Sequence, residues 1–306
     1  MFRAFFIFLS ESRFLRGIAE RSRIGRLMSR RFVAGTAVDD ALEATAARNA
    51  LGMSVSIDNL GENVTNAEES RHSAKLYHEL LDAIAARKLN ANVSLKLTHM
   101  GLDVDETMSR RLVDELVAHA ARLDSFVRVD MEGSPYTDKT LAVVRELHRR
   151  PGNAGHVGAV IQSYLRRSED DVRSLCADGI RIRLCKGAYK EPPEIAFPEK
   201  SEVDANFVNL MKIMLRSGVY HGIATHDPNM IDATIAFARA ENIGPDKFEF
   251  QMLYGVRREL QQQLVRDGWR MRVYIPFGTE WYPYLMRRLA ERPANVFFIL
   301  RNLFRR

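Results

Sequence analysis

Short β-branched runs recur along the chain and alternate with stretches of helical period. Strands are predicted near 53–58 (MSVSID), 92–98 (NVSLKLT), 126–131 (FVRVDM) and 156–162 (HVGAVIQ). Four more follow at 180–185 (IRIRLC), 221–225 (HGIAT), 248–253 (FEFQML) and 271–275 (MRVYI). Helical patterns lie between them, at 107–122, 138–150, 168–177, 203–217 and 230–241. Eight strand-then-helix units over roughly 250 residues fit an α/β chain folded as a (β/α)8 TIM-type barrel. An open doubly wound sheet is the alternative, because a strand count does not establish closure.

Residues two apart on a strand share a face. Ser94, Lys96 and Thr98 take one parity, and Val93, Leu95 and Leu97 the other. Arg128, Asp130 and Glu132 separate in the same way from Val127, Val129 and Met131, and Arg181 and Arg183 from Ile182 and Leu184. The pattern continues with Gln162, Thr225-His226, Gln251, and Arg272 with Tyr274. Helices must cover the apolar parity, which turns the polar parity toward the barrel axis. Charges there are costly unless paired or used. Barrel active sites gather at the C-terminal ends of the strands, where these residues collect. A structural ion-pair network, for instance Lys96 with Asp130, is the competing account for any one residue. Seven strands in agreement favour a site.

The last helix adds an independent pattern. Thr279 is a predicted N-cap, the helix runs to about Arg292, and Pro293 ends it. Tyr284, Arg287, Arg288 and Glu291 then fall within an arc of about 100°. Adjacent arginines on one stripe at a barrel mouth suit a carboxylate or phosphate, gripped by forked hydrogen bonds. A solvated charged face is the bland account, and Tyr284 weakens it because an aromatic ring needs something to cover.

Charge placement changes the picture at the N-terminus. Eight arginines within residues 1–31, against Glu11 and Glu20, account for the whole formal net charge of +6. With Phe2, Phe5, Phe6, Ile7, Phe8 and Leu9 beside them, they suit a helix on an anionic membrane surface better than a nucleic-acid binder, whose basic surface spreads through its folded body. A mitochondrial presequence and a plain packed helix compete with that assignment. A signal peptide does not fit, since Glu11 interrupts the apolar stretch and no small-residue cleavage site follows. The expected division is an N-terminal helical segment over 1–45 and the catalytic barrel over 46–306. No apolar run reaches the roughly 20 residues of a spanning helix.

Several chemistries are excluded. Cys176 and Cys185 alone provide no disulfide framework and no thiolate metal cage, and no metal is expected. No two of the 18 glycines are two residues apart, so G-x-G-x-x-G is absent, as are G-x-x-x-x-G-K and H-E-x-x-H. Any cofactor must therefore sit in the barrel mouth.

Seven collinear blocks carry a resemblance: SLKLTHMGLD (94–103), VRVDMEGSPYTD (127–138), VIQSYLRR (160–167), IRLCKGAYKEP (182–192), ATHDP (224–228), FEFQMLYGVR (248–257) and VYIPFGTEWYPYLMRRLAERPANV (273–296). Together they resemble monofunctional, bacterial-type proline dehydrogenase across residues 50–300. The resemblance implies a distorted barrel with noncovalent FAD that oxidises L-proline to Δ1-pyrroline-5-carboxylate and passes electrons to a membrane quinone. It further implies a cytoplasmic protein peripheral to the inner membrane, without a fused aldehyde dehydrogenase domain.

Carried over by motif, Arg287, Arg288 and Lys96 would hold the proline carboxylate, and Tyr274, Tyr284, Tyr189 and Leu253 would enclose the ring. Asp130 would support Lys96, and Arg183 matches the arginine beside flavin N5. Gln162, Lys186, Gly187, Ala188, Thr225, His226, Gln251 and Glu291 match positions around the flavin. Glu62 resembles a glutamate that pairs with an active-site arginine and closes the pocket, and loop 191–201 is a neighbouring cover. Lys190 departs from the tryptophan of the fused enzymes, which implies a different seat for the adenosine. No residue is required as a base. Two alternatives share the barrel: a lyase or aldolase with Lys96 or Lys186 as a Schiff-base amine, and a membrane-associated binding protein without catalysis.

Overall fold

The computed structural model describes residues 29–291, with side chains through Met286. Helix α1 (Val38–Asn49) precedes eight parallel strands that close into a barrel in chain order. These are β1 (Ser54–Asn59), β2 (Ala91–Leu95), β3 (Val127–Val129), β4 (Val157–Gln162), β5 (Arg181–Cys185), β6 (His221–Ala224), β7 (Phe248–Leu253) and β8 (Met271–Phe277). Helices α2 (Ala67–Ala86), α3 (Glu106–Arg122), α4 (Thr137–Arg149), α5 (Ser168–Ala177), α6 (Lys200–Arg216), α7 (Pro228–Ala240) and α8 (Arg258–Arg266) connect them, and α9 (Trp281–Glu291) follows β8. Every predicted strand forms, and closure of β1 on β8 excludes the open sheet.

Local chemistry sets the helix starts. The Asn66 side chain accepts from Glu69 N at 2.9 Å to open α2, and Asp105 accepts from Met108 N at 3.0 Å to open α3. Asp227 caps α7, with Pro228 in its first turn.

The apolar parity packs under the helices. Val55, Ile57, Val93, Leu95, Val127, Val129, Ile182, Leu184, Val273 and Ile275 are all buried in one continuous core. Each such side chain contributes about 1.5–3 kcal/mol of transfer free energy. The polar parity lines the interior, as the alternation requires. Near the strands' N-terminal ends Arg272 Nε donates to Glu249 Oε1 at 2.6 Å, and Arg128 Nη1 donates to the carbonyls of Ala159 and Arg181 at 3.0 and 2.6 Å. Glycine makes room for these groups. A Cβ at Gly158 would lie 2.3 Å from Arg181 O and 2.6 Å from Arg128 Nη1.

The barrel is irregular at its seam. Helix α1 packs against β1 and β8, burying Ala41, Leu42 and Thr45, in the flank where the eighth helix of a regular barrel would lie. It spans position 45, where the sequence pattern divides the chain. The segment before it is stitched to the end of β8, with Ala34 N donating to Pro276 O at 2.9 Å and Gly278 N to Gly35 O at 3.0 Å. Helix α9 therefore starts at the C-terminal rim with the seam already covered. Among the described residues, no helix is long and apolar enough to cross a membrane.

Candidate active site

Arg183, central on β5 and 6% exposed, organises the upper interior. Its Nε donates to Gln251 Oε1 at 2.6 Å, its Nη1 to Ser94 Oγ at 3.0 Å and Asp130 Oδ1 at 2.5 Å, and its Nη2 to Ser56 Oγ at 3.1 Å. A guanidinium has five N–H groups. Four are committed to partners on β1, β2, β7 and the residue after β3, so a single Nη2 N–H is left among the described residues. Asp130 also accepts from Ser94 Oγ and from Tyr274 Oη, both at 2.9 Å. The Arg183 guanidinium lies 5.1 Å from the Tyr274 ring centroid, within cation–π range.

Lys96, one residue past β2, pairs with Asp58 Oδ2 at 3.7 Å. Its expected pair was Asp130; that carboxylate instead belongs to Arg183 and Tyr274, while its charge still acts on Lys96. Burial alone would lower the Lys96 pKa, but the charges of Asp58, Glu62 and Asp130 outweigh it and raise the value, so the amine stays cationic. Burial pushes Asp58 up to about 6 against the opposing pull of Lys96. Tyr77 Oη lies 3.4 Å from Asp58 Oδ1 and donates to Ser94 O at 2.8 Å. His99, buried beside this group, is pushed down to about 4 by burial and by the Lys96 charge, so it adds no cation.

On the opposite side of the mouth, Gln162 Nε2 donates to the carbonyls of Met131 and Glu132 at 3.2 and 3.0 Å. Its Oε1 is buried without a hydrogen-bond partner. Glu132 is held by Thr98, whose Oγ1 donates to Oε2 at 2.6 Å. Lys186 bridges Asp204 and Asp227, the latter at 2.7 Å. His226 Nε2 accepts from Leu253 N at 2.9 Å, and Thr225 Oγ1 accepts from Asp227 N at 3.1 Å. Gly187 follows Lys186 with φ +105°, and a Cβ there would lie 2.3 Å from the Tyr164 ring. Loop 191–199 is pinned across this side. Ser134 N and Oγ donate to the two Glu191 oxygens at 2.7 and 2.6 Å, and Phe197 N donates to Tyr164 O at 2.8 Å.

Residues 41–301 match the family described as proline dehydrogenase. The chain belongs to that family. Proline dehydrogenase 2 of Bacillus subtilis (strain 168) is 40% identical over 301 residues, covering 98% of each protein. Proline dehydrogenase of Deinococcus radiodurans is 39% identical over 304 residues, covering 94% of this chain and 96% of that protein. Among solved structures, proline utilization A (PutA) from Bdellovibrio bacteriovorus inactivated by N-propargylglycine aligns with a TM-score of 0.83 at 28% identity. That alignment covers 89% of this chain, which spans 33% of the larger protein. The family is FAD-dependent.

The proline dehydrogenase fold brings Lys96, Asp130, Arg183, Gln251 and Tyr274 into one connected network, with Glu62 within electrostatic reach of Lys96. Gln162, Thr225, His226, Lys186, Gly187 and Ala188 stand on the β4–β6 side. Tyr189 lies on the following loop at 38% exposure, while Tyr284 on α9 is buried. The side chains of Arg287, Arg288 and Glu291, and residues 1–28, lie outside the described residues. The sequence pattern missed Asp58, Ser56 and Glu249. Strand one carries the same alternation, Ser54, Ser56 and Asp58 against Val55 and Ile57, and that signal was sufficient to find two of them.

Residues of this mouth fit a flavin. Gln162 Oε1 is an acceptor fixed in place by its own amide and left open for an N–H donor, which an isoalloxazine edge provides. The residual Nη2 N–H of Arg183 is a donor on the other side of the mouth.

Proposed function

We propose that this proline dehydrogenase oxidises L-proline to Δ1-pyrroline-5-carboxylate by hydride transfer to FAD, with the electrons passed to a membrane quinone. The observation that carries this reading is the Arg183 network, four of its five donors fixed, adjoining the raised-pKa Lys96 in a chain that matches proline dehydrogenases along its whole length.

Bound FAD supplies the hydride acceptor. Lys96, Arg287 and Arg288 bind the proline carboxylate, and a partly dry mouth makes each charge count for more than it would in water. Tyr274, Tyr284, Tyr189 and Leu253 enclose the ring and orient the carbon beside nitrogen. Asp130 holds Arg183 and Tyr274 in fixed relation. Arg183 presents its remaining N–H, and with it a full positive charge, to the flavin. Gln162, Lys186, Gly187, Ala188, Thr225, His226, Gln251 and Glu291 form the cofactor's surroundings. Glu62 and the pinned loop over 191–199 limit access of water.

The Schiff-base alternative loses support on chemical grounds. A nucleophilic amine must be neutral, whereas Lys96 is driven toward its charged form and Lys186 is shared between two aspartates. The proposed location is cytoplasmic and peripheral to the inner membrane, with the arginine-rich N-terminal segment as the contact. The deciding measurement is a visible spectrum of the purified protein before and after anaerobic proline. Flavin bands that bleach establish cofactor and substrate together; a colourless protein, or bands indifferent to proline, would refute the assignment.

A further inference from the structure

Two residues below Leu253 on β7, Gln251 touches Arg183, and two below that, Glu249 touches Gln251. Gln251 Nε2 donates to Glu249 Oε1 at 2.6 Å, and Gln251 Oε1 accepts from Arg183 Nε at 2.6 Å. A carboxylate only accepts, so Glu249 dictates which end of the amide turns toward it. The carbonyl end is thereby left facing Arg183. Gly222 on β6 closes the amide in, since a Cβ there would lie 2.3 Å from Gln251 Nε2. Glu249 is itself fixed, accepting from Arg272 Nε at 2.6 Å and from Tyr220 Oη at 3.0 Å. It is 3% exposed, the second residue of β7, and its oxygens are taken up by Gln251, Arg272 and Tyr220.

We propose that Glu249 is a positioning residue for the redox step: through the forced orientation of the Gln251 amide it sets the Nε side of Arg183, and so the direction of the one uncommitted Nη2 N–H. Three hydrogen bonds in series run from Arg272, through Glu249 and Gln251, to Arg183. Were the amide reversed, its NH2 would face the Arg183 Nε–H, donor against donor, and the guanidinium would turn away. The inference rests on the reading that Arg183 faces the flavin.

Glu249→Met tests it, with Glu249→Gln as its control. Arg272 Nε and Gln251 Nε2 both donate to Glu249 Oε1, an acceptor that glutamine keeps and methionine lacks, while both variants remove the same charge. For Glu249→Met kcat is expected to fall about tenfold or more relative to Glu249→Gln, with KM for proline within about twofold, because the carboxylate contacts are untouched. FAD content is retained, and dye equilibration finds the flavin potential of the methionine variant more negative than that of the glutamine variant. A single Glu249→Met variant with the kcat and potential of Glu249→Gln overturns the proposal. Should Glu249→Met fail to fold, Gly222→Ala, whose Cβ would displace the Gln251 amide, decides alone, a lowered kcat and potential supporting the relay and native ones overturning it. Wild-type protein that is colourless or is not bleached by proline removes the underlying reading and the relay with it. A bleaching wild type with an unaffected single variant removes only the relay.

Discussion

Asp130 Oδ1 accepts from Arg183 Nη1 at 2.5 Å while its Oδ2 accepts from Tyr274 Oη at 2.9 Å. One carboxylate thus joins the cation proposed to face the cofactor to the aromatic proposed to enclose the substrate. Asp130→Ala leaves a buried guanidinium without its counter-ion, which costs on the order of 3–5 kcal/mol. Chemical denaturation should show that loss, together with a lower kcat. Undiminished stability would mean that Arg183 has found another acceptor.

Asp58 gives a pH signature of definite sign. Its folded pKa, pushed up from 3.8 to about 6 by burial, makes the native state bind more protons than the unfolded chain between those values. Stability from this group therefore declines as pH rises from about 4 to about 6.5, by on the order of 2–3 kcal/mol. The stability difference between wild type and Asp58→Asn, followed by denaturant titration across that range, should carry this slope. A flat difference would contradict it.

His99 and His221 act in the opposite sense. Burial, aided by neighbouring cations, pushes them down to about 4 and about 3. Their native forms stay neutral where the unfolded chain protonates, so stability is lost as pH falls below about 6.5. Imidazole resonances of both should remain in the neutral form down to about pH 5 in an NMR titration.

Gly187→Ala combines a positive φ with an overlap on the Tyr164 ring. Gly179→Ala shares the positive φ but meets nothing within 4 Å. Strain of about 1–3 kcal/mol is common to the two. Only Gly187→Ala is expected to lose FAD during purification, measured as the ratio of flavin to protein absorbance. Equal flavin content in the two variants would dissociate that glycine from the cofactor.

In the proposed carboxylate clamp, Arg288→Met should raise KM for proline at least tenfold and leave flavin content intact. Removal of residues 1–28 should weaken binding to anionic liposomes, most at low salt. Full retention after deletion would exclude the arginine-rich segment as the membrane contact.

The barrel and its polar interior were legible because a period of two is unambiguous when charges stand opposite valines, as in VRVDM and IRIRLC. Which charges pair was not. Lys96 and Asp130 both point inward, yet the partner of Lys96 comes from β1, and pairing across a barrel depends on the stagger between strands, which parity does not encode. Glu249 escaped notice for a related reason: its importance lies in what stands two residues above it. The role of α1 was equally hidden, since an amphipathic helix does not announce which seam it will cover.

That seam has a bearing on how the molecule assembles. The helix flanking the junction of β1 and β8 is translated before either strand, and β8 comes more than 200 residues later. Ring closure must therefore await the far end of the polypeptide, and a fragment starting at β1 would carry every strand yet lack the helix that packs on both strands of the join. Without α1 the outer flank of this junction would be uncovered, although β1 and β8 stay paired over six residues.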